Sequence, residues 1–424
     1  MNRVAAPLWV VLVGATLMFS PAVQAENSTN KAAQSGFFSK LKKRYSNRST
    51  LFGKLVRLRH SPVLVTAKEA VASIQPGETV FTQIGHGAAH AVLNEVLNEL
   101  LREVSQPKSR FSVKNPVKIM GLSNTGSRKL FSMDPKRRGR VHPISLFLGA
   151  NVRDVVNAGF GDWVPIHLGE IPAAFRNGDL KVDKALIKVS PPDRAGYVTL
   201  GASVAVTPAA MDAATEVIAV VNEHVPRTNG AARIHISQID KLVFSDEPLH
   251  GLPPSKIGPA EQRIADHVLK ILRRNQPKKG RRTFQFGIGG VPDAIAKGLV
   301  KAKTRINIVS EMIADGTLAA VEGGIVPDPV KYTFFMGTDA GLRKLHNNNK
   351  LRAYPTEAIN DPAKIAKIPN FTAINGAVEA DLYGAVNAQM IDNQWYSGVG
   401  GQQDFARGAH RSEGGLAINV LDRT

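Results

Sequence analysis

Glu311 follows a short apolar run, Ile306-Asn-Ile-Val309, and precedes the loop Ile313-Ala-Asp-Gly316. The run reads as a strand that stops at Ser310-Glu311, which leaves a carboxylate at a strand's carboxyl end. Open α/β sheets present such ends to ligands, and a carboxylate held there can be catalytic. The competing role is structural: a Glu beside the next helix N-terminus gains ~0.3–1 kcal/mol from the helix dipole. Two glycine-rich loops can serve this carboxylate. Gly287-Ile288-Gly289-Gly290, ahead of Val291, lets backbone N–H groups approach an anion or simply makes a tight turn. Gly398-Val-Gly400-Gly401, followed by Gln402-Gln-Asp404, exposes donors that hold an oxyanion or merely bend the chain.

Other chemistries lack their residues. No Lys-Ser/Thr follows the first glycine loop, as a phosphate-binding loop needs, and no Gly-x-Ser-x-Gly elbow is present. The chain has no cysteine, which excludes a thiol nucleophile, a Cys-ligated metal and a disulfide scaffold. His86 and His90 stand four apart with no third ligand at a fitting spacing, so they read as polar helix residues. His167 reads as a hydrogen-bonded structural residue.

The elements that would position these groups repeat. Residues 79–84 read as a strand, Gly85-His86-Gly87 as a tight loop and 89–101 as an amphipathic helix. The same unit returns 202 residues later, with a strand at 283–286, the loop at 287–290 and a helix at 291–299. Pro292 suits the first turn of that helix. Ser145-Leu-Phe-Leu-Gly149 matches Ser310-Glu-Met-Ile-Ala314, setting Leu146 opposite Glu311. Asp193-Arg-Ala-Gly196 matches Asp381-Leu-Tyr-Gly384. Three matches in one order predict two related, open, mostly parallel α/β domains. The breakers Pro248, Gly251, Pro253, Pro254 and Gly258 divide them, giving 69–250 and 251–424. A helix over 261–274 opens the second.

At 424 residues, 43% hydrophobic and 21% charged, the chain is long enough for two or three globular domains. Its formal charge of +19 invites a nucleic-acid reading, but the charge is local. Residues 27–68 hold ten basic side chains and no acid. Two short runs, 136–140 and 273–282, hold four and six more. Aromatics are only 6%, and the runs read as solvated loops, so nucleic acid is not an expected partner. Residues 1–25 read as a signal-like targeting segment: Arg3 gives a positive start, 5–19 are uncharged, and Val23-Gln24-Ala25 ends in small residues. Residues 26–68 form a basic leader, acid-poor like an organelle presequence. No stable membrane span is expected in the mature chain.

Longer motifs join these residues. Asp162-Trp-Val-Pro-Ile-His-Leu-Gly-Glu-Ile-Pro172, Val189-Ser-Pro-Pro-Asp-Arg-Ala-Gly196, Val225-Pro-Arg-Thr-Asn-Gly230 and His235-Ile-Ser-Gln-Ile-Asp240 lie in the first half. Phe286-Gly-Ile-Gly-Gly-Val-Pro-Asp-Ala294, Ser310-Glu-Met-Ile-Ala-Asp-Gly316 and Ser397-Gly-Val-Gly-Gly-Gln-Gln-Asp-Phe-Ala-Arg-Gly408 lie in the second. Together, over roughly residues 65–424, they resemble the acetyl-CoA hydrolase/transferase family, most closely its butyrate and 4-hydroxybutyrate CoA-transferase branch. The resemblance implies two similar open α/β domains with the active site between them and a glutamate nucleophile at Glu311. It implies CoA contacts from Gly287, Ile288, Gly289, Gly290 and Val291, and from Asn375 in Ile374-Asn-Gly-Ala-Val378. Gly398, Gly400 and Gly401 would also bind CoA and polarise the thioester carbonyl.

On that resemblance, CoA would be both substrate and covalent carrier, with no metal or redox cofactor. The partners would be acyl-CoA and carboxylates such as acetate, and the enzyme a homo-oligomer. Water reaching the intermediate would turn transfer into hydrolysis. The chain departs from the family's pattern in three places. Val309 replaces the usual His of His-Thr/Ser-Glu. Ala88-Ala89 stands where a proline is common. The family continues past the position of Thr424, so the second domain is expected to be incomplete, and an inactive homologue is the remaining alternative. CoA chemistry suits an organelle, including a mitochondrion, better than a secretory destination.

Overall fold

Two all-parallel sheets form the framework of the protein, in a computed structural model that describes residues 62–84, 92–122, 131, 138–246, 248–249 and 251–421. The signal-like segment, nearly all of the basic leader, His86 and His90 lie outside the described residues.

The first sheet holds eight strands. In chain order they are β1 (Val63–Leu64), β2 (Thr79–Thr82), β3 (Val117–Gly121), β4 (Val141–Ser145), β5 (Asp162–Trp163), β6 (Lys184–Val189), β8 (Glu216–Asn222) and β11 (Lys241–Ser245). The second holds seven: β9 (Asn229–Gly230), β12 (Thr283–Gln285), β13 (Asn307–Ile313), β14 (Val330–Phe335), β15 (Leu351–Ala353), β16 (Phe371–Gly376) and β21 (Leu416–Val420). Among the described residues, three small antiparallel pairs accompany them. They join β7 (Tyr197–Thr199) to β10 (Arg233–His235), β17 (Glu379–Ala380) to β18 (Val386–Asn387), and β19 (Met390–Ile391) to β20 (Gln394–Trp395).

The repeat is visible in the strand order. The first sheet runs β1-β11-β8-β6-β2-β3-β4-β5 and the second β21-β16-β12-β13-β14-β15-β9. Superposing β2 on β12 pairs β3 with β13, β4 with β14, β6 with β16 and β8 with β21. A shared turn supports the equivalence. Asp193 Oδ1 accepts from the Ala195 and Tyr197 N–H groups at 2.9 and 3.0 Å. Asp381 Oδ1 accepts from Tyr383 and Ala385 at 2.9 and 2.8 Å. Gly196 and Gly384 close the two turns at φ 82° and 89°.

Topology also corrects one pairing. Ser145 ends β4, whereas Ser310 lies in β13, so Leu146 is not the counterpart of Glu311. That counterpart falls just beyond β3, outside the described residues. Apolar parallel strands resemble one another closely enough that β4 matches β13 by residue type alone.

Parallel strands covered on both faces are apolar throughout, which is why β6 is buried at every position. One core face is continuous across both halves, from Phe81 and Leu168 to Phe284 and Ile313. Two further contacts bind the halves. Strand β9, from the first half, pairs with β15. A methyl on Gly230 would run into the Ala353 backbone, so only glycine allows that approach. Residues 202–205 run along β14, where Phe335 N–H donates to Ala202 O at 2.8 Å and Val204 N–H to Thr333 O at 2.9 Å.

Smaller departures have local causes. The first sheet takes in Val63–Leu64, from the stretch read as leader, as an edge strand on β11. The helix expected from 261 begins at Pro259, behind an N-cap at Gly258 whose N–H donates to Glu261 Oε2 at 2.9 Å. Arg282, read as part of a solvated run, is buried and donates to Thr372 Oγ1 at 3.0 Å. Among the described residues no helix is long and apolar enough to cross a membrane.

Candidate active site

Glu311 sits deeper in its strand than the apolar run suggested, because β13 continues to Ile313 along β14. On its other side the pairing with β12 stops at Ile308. Beyond that point the Ser310 hydroxyl takes over, accepting from Phe286 N–H at 3.2 Å and reaching Phe286 O at 2.9 Å. Carrying the registers forward sets Gly287 beside Glu311 and Asn375 beside Gly287, in one row across the carboxyl ends of β13, β12 and β16.

The carboxyl group of Glu311 is buried, at 8% exposure for the residue. Its Oε2 accepts from Asn360 Nδ2 at 2.8 Å. Asn360, fully buried, is held at the end of helix Thr356–Ile359 by its N–H bond to Thr356 O at 2.7 Å. Burial pushes the Glu311 carboxyl up to about 7; the Asn360 donor opposes this and the Asp404 charge adds to it. Asp404 is itself raised to about 6 by burial, against the Gly169 N–H, His167 and the Asn360 amide, with Glu170 adding to the rise. Its Oδ2 accepts from Gly169 N–H at 2.9 Å. Glu311 is therefore no helix cap: its side chain bonds Asn360, and the next helix, Asp315–Glu322, is capped at Ala314.

The second glycine loop lies against this group. A methyl on Gly401 would overlap both Glu311 Oε2 and Asn360 Nδ2. One on Gly398 would come within 2.7 Å of Phe147 Cα and 2.9 Å of Leu148 N, both from the first half. Gly400 takes φ 58° and its carbonyl accepts from Leu168 N–H at 2.9 Å. The segment before the loop is clamped to the first half. Trp395 packs tilted against Trp163, ring centroids 4.2 Å apart, and Asn157 bonds both its N–H and its carbonyl, at 3.0 and 2.9 Å. Arg153 Nε donates to Tyr396 O at 2.8 Å, with its guanidinium over the Tyr396 ring.

The first glycine loop flanks the site from the β12 end. Gly289 takes φ 108° as N-cap of helix Gly290–Lys301, and Ile288 and Val291 are half-buried. Asn375 does not touch Glu311; its Oδ1 accepts from Gln285 Nε2 at 3.1 Å, two strands away from the carboxylate. The asparagine in contact with Glu311 is Asn360. Its signal in the sequence is faint, an Asn-Asp-Pro break between two short helices. His167 also departs from expectation. Its Nδ1 is buried with no hydrogen-bond partner among the described residues, while its backbone bridges to Gly400. Among the described residues no group of three or more His, Asp or Glu is placed to hold a metal.

Residues 56–252 match the N-terminal domain, and residues 337–424 the C-terminal domain, of the acetyl-CoA hydrolase/transferase family. The chain belongs to that family. Asn360, Asn375 and the loop 398–401 fall within the C-terminal match, and Glu311 falls between the two matches. Among individual family proteins, it is 39% identical over 288 residues to the 4-hydroxybutyrate coenzyme A transferase of Clostridium kluyveri, covering 66% of each chain. It is 36% identical over 291 residues to the succinyl-CoA:acetate/propanoyl-CoA:succinate CoA transferase of Fasciola hepatica, covering 67% of this chain and 60% of that one. The alignments thus span 60 to 66% of the length of these curated relatives. The crystal structure of 4-hydroxybutyrate CoA-transferase from Porphyromonas gingivalis superposes with a TM-score of 0.66 at 27% identity, covering 84% of this chain and 80% of that one.

Proposed function

We propose that the protein transfers CoA from a short-chain acyl-CoA to a carboxylate acceptor such as acetate, through a glutamyl-CoA thioester on Glu311. The observation that carries this reading is the contact group itself: a buried carboxylate, bonded by Asn360 and capped by Gly401, between two glycine loops. A carboxyl raised to about 7 is a stronger nucleophile than an ordinary carboxylate, yet is still substantially ionised near neutrality.

The steps balance without an outside redox partner. Glu311 attacks the thioester carbonyl, the C–S bond breaks, and an acyl-glutamyl anhydride forms as CoA thiolate leaves. The thiolate then attacks the Glu311 carbonyl carbon, releasing the first acid and leaving the enzyme thioester. An acceptor carboxylate reverses the sequence and departs as the new acyl-CoA. Each addition places negative charge on a carbonyl oxygen; the Asn360 amide is the donor bonded to Glu311, and the glycine loop 398–401, packed against the carboxylate at Gly401, would supply backbone donors for that charge. Residues 287–291, after β12, and Asn375, in β16, are the ones we assign to CoA. This chemistry needs a compartment supplied with CoA, which favours an organelle as the destination of the N-terminal segment.

The test is to incubate the protein with acyl-CoA, reduce with borohydride and map the modified peptide. Modification at Glu311, absent in Glu311→Gln, is expected. Modification elsewhere, or none, overturns the assignment. Thiol release at a rate independent of added acetate would reassign the reaction to hydrolysis.

A further inference from the structure

Asp404 carries a burden that simple packing does not require. It is 2% exposed, yet it is an acid set beside a second buried acid. One Asn360 amide serves both carboxyl groups: Nδ2 donates to Glu311 Oε2 at 2.8 Å and also favours the ionised form of Asp404. Asn360 Oδ1, by contrast, is buried with no partner among the described residues. Turning that carboxamide over would point its oxygen at two carboxylates, so the pair fixes which way Asn360 faces. The first half is part of the same assembly. Gly169 N–H is bonded to Asp404 Oδ2, and a methyl on Gly169 would stand 2.8 Å from Asn360 O and 3.2 Å from Asp404 Oδ2.

We propose that Asp404 is a positioning residue: it orients the Asn360 carboxamide toward Glu311 and links the docking of segment 167–170 to the state of that carboxylate. The inference rests on the reading of Glu311 as the nucleophile. The titratable groups facing the pair are His167 and Glu170 from the first half, with Glu311 and Asp404 themselves. A negative charge beside Glu311 keeps it basic and therefore nucleophilic. Loss of the tether to Gly169 would leave Asn360 free to turn and the carboxylate free to swing.

The experiment compares Asp404→Asn and Asp404→Ala with the wild-type full chain, by kcat and KM across pH, by trapping at Glu311, and by infrared titration of the Glu311 carboxyl against Glu311→Gln. Asp404→Asn retains an acceptor for Gly169 but removes the charge. Its acid limb is expected to move to lower pH by about one pH unit, with the infrared titration moving alike. Asp404→Ala loses charge and tether, and its kcat is expected to fall about 100-fold with KM little changed. An unmoved infrared titration in Asp404→Asn overturns the proposal, as does a change confined to KM in Asp404→Ala. Asp404→Asn is near-isosteric, so it decides the matter even if the alanine variant does not fold. The infrared reading needs no turnover. If wild-type trapping fails at Glu311, the nucleophile assignment falls, while a shifted titration would still show the coupling.

Discussion

Gly401→Ala is the most direct probe of the contact group. Gly401 takes φ −103°, which any residue adopts, so the added methyl causes no backbone strain. Its effect is steric, because the methyl would occupy space held by Glu311 Oε2 and Asn360 Nδ2. Either the loop retreats or the two side chains part. Parting them loses a hydrogen bond to a charged group, about 1.5–3 kcal/mol, which corresponds to roughly 10- to 150-fold in kcat/KM. A retreating loop moves the oxyanion donors instead, at a comparable loss. Crowding a packed site also costs about 1–3 kcal/mol of stability. The assay is kcat/KM for acyl-CoA at pH 8, with the thermal midpoint and the borohydride trap measured on the same preparation. Gly376→Ala is the control, since nothing lies within 4 Å of its added methyl. A Gly401→Ala enzyme within twofold of wild type, trapped as efficiently, would refute the placement of this loop against the nucleophile.

Two further predictions concern buried charge. Glu311 titrates near 7 when folded and near 4.5 when unfolded, so the folded state binds more protons between those values. Its contribution to stability is full below about pH 4.5 and is lost as pH rises through about 7; Glu311→Gln should therefore be more stable than wild type by about 3 kcal/mol at pH 8 and near parity at pH 4.5, read from denaturant unfolding. Lys188, in β6, is 1% exposed with no ion pair among the described residues, and burial lowers it from 10.5 to about 7. The unfolded chain binds the extra proton from about pH 7 to 10.5, so stability rises with pH across that window, and Lys188→Met should gain about 4 kcal/mol at pH 7 with the advantage fading toward pH 10.5.

What the sequence revealed followed the physical range of each signal. The strand–glycine–helix units at 79–101 and 283–299 are local patterns, and the strands, sheet order and turns at Asp193 and Asp381 agree with the repeat they implied. Glu311 is legible from its place near a strand's carboxyl end, whereas its contrast with Leu146 rests on a pairing that the strand order does not keep. The limit of β13 is not legible locally, because Met312 and Ile313 continue the strand only by pairing with β14, a contact formed at a distance. Asn360 was missed for a similar reason. It gains its meaning from where helix Thr356–Ile359 delivers it, and that helix is placed by Thr356 N–H bonding to Ala205 O of the first half. Asn375 carried a stronger local pattern and a weaker place. Arg282 shows the converse, a residue inside a charge run that reaches Thr372 and Gly414, far along the chain, as well as the nearby Asn275 carbonyl.

The exchange of strand β9 has a consequence for synthesis. On a ribosome, Asn229 emerges about 120 residues before Arg352, the residue it pairs with. At 5–20 residues per second, that is roughly 6 to 25 s during which the second half is still being made and the outlying strand waits. Residues 202–205 wait similarly for β14. The first half therefore spends its early life with the surface that meets the second sheet uncovered, and a gene fragment ending near residue 250 would keep it so. For the same reason, recombination that replaced one half alone would have to bring a matching edge with it. The duplicated halves are bound to travel together.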